Sequence, residues 1–371
     1  MQATAKRYLA LDAFRGATVA LMILVNTPGS WQHIYAPFKH ATWHGCTLTD
    51  LVFPFFLFIV GASLALSGKN KTNDVTPSYI QQVGVISKRA VIIFSIGLFL
   101  NAFPFDQNIE QLRIMGVLQR IAICYWFASV IVLTASRYQL RFGVIFAIVF
   151  ILLSYWWILF ITGKGDPYSL VGSSVATLDI MLFGANHLWQ GLGVPFDPEG
   201  LLSSIPAIAS VLIGYQATVY LLASQSIAQV VKQFVLVGIL LVLFGGIWSM
   251  WLPINKSLWT SSYVLFSSGF ALMTLALFIY WVDIRQQQKS VSYLIAMGAN
   301  PLFLYVISWL WVECYWIIAV SENISLYQQL YAWLNILLSA KSASLLFAIL
   351  HVSLFTYVAI ILKKRHIFIK I

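Results

Sequence analysis

Charge is what this chain has least of. Asp, Glu, Lys and Arg make up 9% of its 371 residues, and only 12 residues are acidic, whereas a soluble globular chain carries about a quarter. A length that would otherwise divide into two or three soluble domains is therefore not read that way here. Cysteine is nearly as scarce: Cys46, Cys124 and Cys314 are too few and too scattered for a disulfide framework. Long polar linkers and low-complexity tracts are lacking, and no internal repeat stands out, which leaves no sign of a solenoid or of tethered modules. The short alternating segments of a membrane barrel are missing too.

What the chain has instead is apolar length. Hydrophobic residues reach 60% with a mean hydropathy of +0.84, in uninterrupted runs near the roughly 20 residues that cross a bilayer as a helix. This predicts an all-α polytopic membrane bundle, one transmembrane domain over residues 1–371, with ten spans near 9–28, 50–67, 89–105, 114–135, 142–163, 200–223, 233–253, 261–283, 300–320 and 343–362. Basic residues orient it, because short cytoplasmic loops hold the excess Lys and Arg. With both termini inside, fifteen cations face the cytoplasm: Lys6, Arg7, Lys69, Lys71, Lys88, Arg89, Arg137, Arg141, Lys232, Arg285, Lys289, Lys363, Lys364, Arg365 and Lys370. Five lie outside, namely Lys39, Arg113, Lys164, Lys256 and Lys341, and Arg15 and Arg120 fall within spans. The net charge of +10 is then mostly topology, with anionic lipid as its partner and no case for nucleic acid. Asp12 and Arg15 interrupt the first apolar run, which argues against a cleaved signal peptide.

Titratable groups gathered at one depth in a bilayer need a reason, and residues 38–63, FKHATWHGCTLTDLVFPFFLFIVGAS, gather four at the mouth of a span: His40, His44, Cys46 and Asp50. A histidine works near neutral pH as base, acid or nucleophile. Asp50 either caps the second span with Thr47 and Thr49 or orients His40 or His44. With His33 the cluster also suggests a metal, yet its spacing matches no common ligand pattern, and no metal is expected. Cys46 as a thiol nucleophile requires a lowered pKa. On the first span Asp12 and Arg15 sit one turn apart, and Asn26 lies eleven residues beyond Arg15, within about 20° of the same face and about 16 Å further along. A polar stripe thus joins the two ends of that helix, unless Asp12 and Arg15 only anchor it at the interface. Arg113, Gly116 and Arg120 share a face of the fourth span; Arg113 can snorkel, while an inward Arg120 suits a phosphate, a carboxylate such as Asp50 or Glu199, or a sugar. Glu313 and His351 lie within the last two spans. The outer segments 29–49 and 164–199, rich in Gly, Pro and aromatics such as Trp31, Trp43 and Trp189, are expected to form part of a lid over the site. Residues 325–339 pattern as an amphipathic interfacial helix.

Taken in order, LDAFRG (11–16), LVN ending at Asn26, FKHATWHG (38–45), TDLVFPFFLFIVGAS (49–63), RIMGVLQR (113–120), DPEGLLSSIPAI (197–208), NKSLWTSSYV (255–264) and GANPL (298–302) run over nearly the whole chain. In these motifs the chain resembles the membrane domain of the heparan-alpha-glucosaminide N-acetyltransferase family and its bacterial relatives, within the transmembrane acyltransferase superfamily. The resemblance implies transfer of acetyl from cytoplasmic acetyl-CoA to the amine of glucosamine or a related amino sugar on the far, periplasmic side of a bacterial inner membrane. It places His40 as the catalytic residue with Asn26 close to it, and Asp50 is expected to orient the imidazole. Arg15, Asp12, Arg120 and Asn300 are then expected to hold the CoA, and His44, Trp43, Arg113, Glu199, Lys256 and Trp259 the acceptor; a homodimer is implied as well. His44 stands where the lysosomal member has Asn, and the loop from Asn26 to His40 is longer here. The luminal segment preceding the first span of that member has no counterpart in this sequence, so an acceptor other than heparan is expected. Two mechanisms stay open: an acetyl-imidazole on His40, or direct attack by an amine that His40 deprotonates. A sugar transporter is the rival class, since polar residues at depth and aromatic outer loops also describe a permease. A membrane scaffold without catalysis is the third.

Overall fold

The computed structural model describes residues 8–69, 77–106 and 108–369. Lys6, Arg7, Lys71 and Lys370, counted above in the charge asymmetry, lie outside the described residues. The elements are α1 (Leu9–Asn26), α2 (Val52–Lys69), α3 (Tyr79–Ala102), α4 (Val117–Arg137), α5 (Gly143–Thr162), α6 (Ser174–Phe183), α7 (Leu201–Ala223), α8 (Ile227–Trp248), α9 (Ser261–Phe278), α10 (Ser292–Met297), α11 (Pro301–Ile317), α12 (Leu326–Leu337) and α13 (Ala340–Lys364). A π-helical stretch, Ile279–Ile284, continues α9, and a hairpin of β1 (Ala319–Ser321) and β2 (Ile324–Ser325) separates α11 from α12.

Local chemistry explains several of these boundaries. Ser78 and Gln81 form a reciprocal capping box at the start of α3, and Ser325 and Gln328 do the same for α12, the interfacial helix expected from the sequence. Pro301 opens α11 at a position where its missing N–H costs nothing. The bundle expected from hydropathy is the one observed, with one difference in count. Among the described residues nine helices have the length and apolar content to cross a membrane, and the remaining expected span, the ninth at 300–320, coincides with α11, only 17 residues long. At 1.5 Å per residue α11 reaches about 25 Å, short of the roughly 30 Å hydrocarbon core.

Helices α3, α5 and α8 leave most of their apolar surface uncovered, with Ile92, Phe146 and Leu240 exposed, which is where lipid replaces protein as the apolar neighbour. The core lies between α1, α2, α4, α7 and α9, around Ile23, Leu57, Leu118, Val211 and Val264. Glycines set how closely these helices meet. A Cβ on Gly61 of α2 would lie 1.8 Å from the Val211 carbonyl oxygen of α7, and one on Gly214 of α7 would lie 1.9 Å from the Phe58 carbonyl of α2. Backbone-to-backbone contact of this kind holds membrane helices together where no hydrophobic drive exists between them. The same reciprocity joins α1 to α10: Gly16 faces the Leu294 carbonyl and Gly298 faces the Asp12 carbonyl. The fold thereby clamps the Arg15 end of α1 and leaves its Asn26 end among loops.

Candidate active site

A cavity of about 650 Å³ opens at that loop-covered end, between Met22 and Asn26 of α1, Gly97 and Asn101 of α3, Gly116 and Gln119 at the start of α4, and Tyr305, Trp309 and Glu313 of α11. Loops complete it with His40, Trp43, Asp50, Trp189, Glu199 and Lys256. Its floor is at Met22, Ile23 and Leu118. Arg15, seven residues before Met22, is about 10 Å beyond that floor along α1.

His40 follows a 3-10 turn, Ala36–Phe38, and its Nδ1 lies 2.6 Å from Oδ1 of Asp50. The imidazole is 49% exposed while the Asp50 side chain is 2% exposed, so a buried carboxylate holds a ring that faces the cavity. Oδ2 of Asp50 accepts from the Ala41 and Thr47 backbone N–H groups and from the Thr47 hydroxyl, all at 3.0 Å. The capping expectation is thus inverted: the threonine side chain caps nothing, and the carboxylate reaches back to the loop amides, since a charged acceptor is the stronger partner. Of the two histidines considered, the carboxylate takes His40. Lys256 Nζ is 3.2 Å from His40 Nδ1 and 3.7 Å from Asp50 Oδ1. One nitrogen cannot donate to Asp50 and accept from an ammonium at once; the shorter contact assigns the proton to Nδ1, and the ammonium then pairs with the carboxylate. That tautomer leaves Nε2 with its lone pair, the form a base or nucleophile needs. Burial pulls the Lys256 pKa below its ordinary value, against the pull of Asp50 and Glu199.

A second ionic cluster adjoins the same cavity through Arg113 and Glu199. Arg113 Nε and Nη2 donate to the two oxygens of Asp197 at 2.8 and 2.7 Å, and Nη2 also reaches Glu199 at 2.8 Å. Burial works against this guanidinium's charge, but Asp197 and Glu199 hold its pKa above the usual value. Asn101 of α3 donates to the Arg113 and Met115 carbonyls and so fixes the strand of chain leading into α4. Trp43 lines the cavity with its indole N–H on the Tyr168 carbonyl, 2.8 Å away, which ties segment 29–49 to segment 164–199.

Other sequence candidates lie elsewhere. Arg120, expected at the CoA, is fully buried; it donates to Ser203, Ser204 and the Gly200 carbonyl and stacks 4.9 Å over Trp259. It braces α4 against the start of α7 and does not line the cavity. Trp259, expected at the acceptor, is the plate beneath it, fully buried at φ +52° with its N–H 3.4 Å from Ser210 Oγ. Asn300 donates one N–H to the Ile367 carbonyl and accepts from the Ile369 N–H, so it holds the C-terminal segment, and it does not line the cavity. His44 is exposed and lies outside the cavity lining, with Nδ1 3.4 Å from Asn255. Arg15 and Asp12 do pair, at 3.3 Å, and Arg15 also donates to Ser63 and the Gly298 carbonyl, at the far end of the polar stripe. Burial and the nearby Asp50 push the Cys46 thiol up to about 12, the wrong direction for a nucleophile. Among the described residues no three His, Cys, Asp or Glu side chains converge as a metal site would require.

Sequence reasoning missed Asn101, Tyr305 and Tyr327, all of which line the cavity. Only Asn101 left a trace, as a polar residue closing an apolar run.

Residues 7–218 match the family described as "Heparan-alpha-glucosaminide N-acetyltransferase, catalytic". The chain is 27% identical to the mouse heparan-alpha-glucosaminide N-acetyltransferase over 356 residues, and 27% to the human protein over 357. Each alignment covers 82% of this chain and 54% or 53% of the relative, so the chain spans about half the length of the curated relatives it matches. With more than half of its length inside the family match, and a helical bundle that brings the LVN, FKHATWHG and TDLVFP motifs to one cavity, the chain belongs to the heparan-alpha-glucosaminide N-acetyltransferase catalytic family.

Proposed function

We propose that this chain is a membrane-embedded N-acetyltransferase that moves acetyl from acetyl-CoA to the amine of glucosamine or a related amino sugar. The observation that carries the proposal is the His40–Asp50 pair at 2.6 Å, presented to a cavity that Asn26 also lines. The amine attacks the acetyl carbon, a C–N bond forms as the C–S bond breaks, and His40 Nε2 takes the amine proton and returns it to the departing thiolate. Asp50 keeps the imidazole in the required tautomer and shares its charge with Lys256. The Asn26 amide N–H is suited to the oxyanion, a contact worth about 3 to 4 kcal/mol where such donors have been removed.

The donor approaches from the Arg15 end in this proposal. Basic residues cluster on that side by charge topology, and Arg15 with nearby cations meets the CoA phosphates, while the pantetheine arm extends along α1 toward His40. Residues 29–49 and 164–199 form part of the lid on the acceptor side. The test supplies acetyl-CoA to one face of oriented proteoliposomes and glucosamine to the other. N-acetylglucosamine forms on the glucosamine side with the wild type and not with His40→Ala; equal product from both, or sugar crossing without any acyl donor, overturns the proposal.

A further inference from the structure

Beside the reaction cavity lies a second and larger one, about 1340 Å³, that shares Asn101, Arg113, Glu313 and three indoles, Trp189, Trp309 and Trp316, with it and adds Asp106 and Asn186 of its own. A single amino sugar has no use for so much room, and the make-up of the wall is specific. Three indoles, Trp189, Trp309 and Trp316, line it together with Asp106, Glu313 and Asn186. Flat aromatic faces with negative quadrupoles suit the C–H faces of pyranose rings, and interspersed carboxylates and amides suit hydroxyl and ammonium groups. Its polar side chains distinguish it from the apolar groove between α5, α7 and α8, which has the character of a lipid-facing surface.

Charge narrows the occupant further. Arg113 is the one cation lining this vestibule among the described residues, and its guanidinium already faces two carboxylates, Asp197 and Glu199. No ion pair among the described residues neutralises Asp106 or Glu313. The field at the entrance is therefore negative, which draws ammonium groups in and repels sulfate or phosphate esters. We infer that the vestibule binds the further sugar units of an unsulfated amino-sugar oligosaccharide whose terminal amine reaches His40. The inference rests on the acetyltransferase proposal above and names its substrate class.

The test uses the full chain in proteoliposomes with acetyl-CoA and three acceptors: glucosamine, a β-1,4-linked glucosamine trisaccharide, and an O-sulfated trisaccharide of the same length with a free terminal amine. The trisaccharide is expected to exceed glucosamine in kcat/KM by about fivefold or more, the gain a stacking contact supplies, and the sulfated form to fall below the unsulfated one. Trp316→Ala and Asp106→Asn are expected to bring the trisaccharide-to-monosaccharide ratio toward one. Acetylation of glucosamine with no trisaccharide advantage, or with equal use of the sulfated chain, overturns this inference and leaves the acetyltransferase proposal standing. If no amine is acetylated, that proposal falls, and ligand-induced thermal stabilisation decides the vestibule: a shift with the unreactive N-acetylated trisaccharide that Asp106→Asn, at a residue lining the vestibule alone, reduces supports it, and no shift, or one that Asp106→Asn leaves intact, overturns it.

Discussion

Two ionic clusters adjoin the cavity, and they differ in what they leave unused. Arg113, Asp197 and Glu199 saturate one another: both acids share a single guanidinium, and Asp197 is completely buried. His40, Asp50 and Lys256 do not, because a histidine bound through Nδ1 keeps Nε2 available and half of its ring exposed. A saturated charge network fixes loops, whereas one with a spare lone pair on a titratable ring can pass protons. The contrast separates a brace from a candidate catalytic group where sequence gives both the same charged, membrane-mouth character.

Mutations can break the comparison on either side. His40→Ala should cause the largest loss, with kcat reduced about 10³-fold or more while the folded protein persists in detergent, since general-base catalysis typically contributes 10²–10⁴-fold; a variant keeping a tenth of wild-type turnover would place the chemistry elsewhere. Asn26→Ala should follow at roughly 10²-fold in kcat with little change in KM for the sugar, as expected of a donor that acts in the transition state. On the saturated side, Arg113→Lys loses the bidentate fork and should lower stability by about 1–3 kcal/mol by thermal unfolding, with a smaller effect on turnover than either. A turnover loss as deep as that of His40→Ala without loss of stability would erase the distinction between the clusters.

The smallest effect concerns Asp179 of α6, which accepts from the Leu201 N–H at the start of α7 and whose pKa burial raises from 3.8 to about 6. A carboxyl raised on folding contributes stability while it is protonated: the contribution is complete below about pH 4 and lost as pH rises through 6. Asp179→Asn, which keeps the acceptor without the charge, should raise the unfolding temperature at pH 7.5 and give less gain at pH 5. An equal gain at both values would mean that the carboxyl is not destabilised by burial.

Much of the bundle was legible because hydropathy is a local property. A run of 20 apolar residues forms a helix in lipid whatever its neighbours do, so every expected span finds a helix, and α11 departs only in being short. The His40 cluster was legible for a related reason: its members lie within eleven residues, close enough for a loop to fold His40 back onto Asp50. The partners of Arg120, Trp259 and Asn300 were not legible, because an inward polar residue announces that it needs a partner without naming it. Ser203 and Ser204 lie more than 80 residues from Arg120, and the Ile367 carbonyl lies 67 residues from Asn300.

By itself, then, the sequence determined a polytopic helical bundle of this family and a histidine and carboxylate at the mouth of one span. Composition and short-range spacing are enough for the bundle and the pair, and the run of motifs for the family. Only the tertiary structure decided that Asp50 orients His40 rather than His44, that Arg120 is a brace over an indole, and that an acidic, tryptophan-lined vestibule adjoins the site. Each depends on which helices meet and how closely, and that was set by backbone contact at Gly16, Gly61, Gly214 and Gly298 and by side-chain partners far away in the chain.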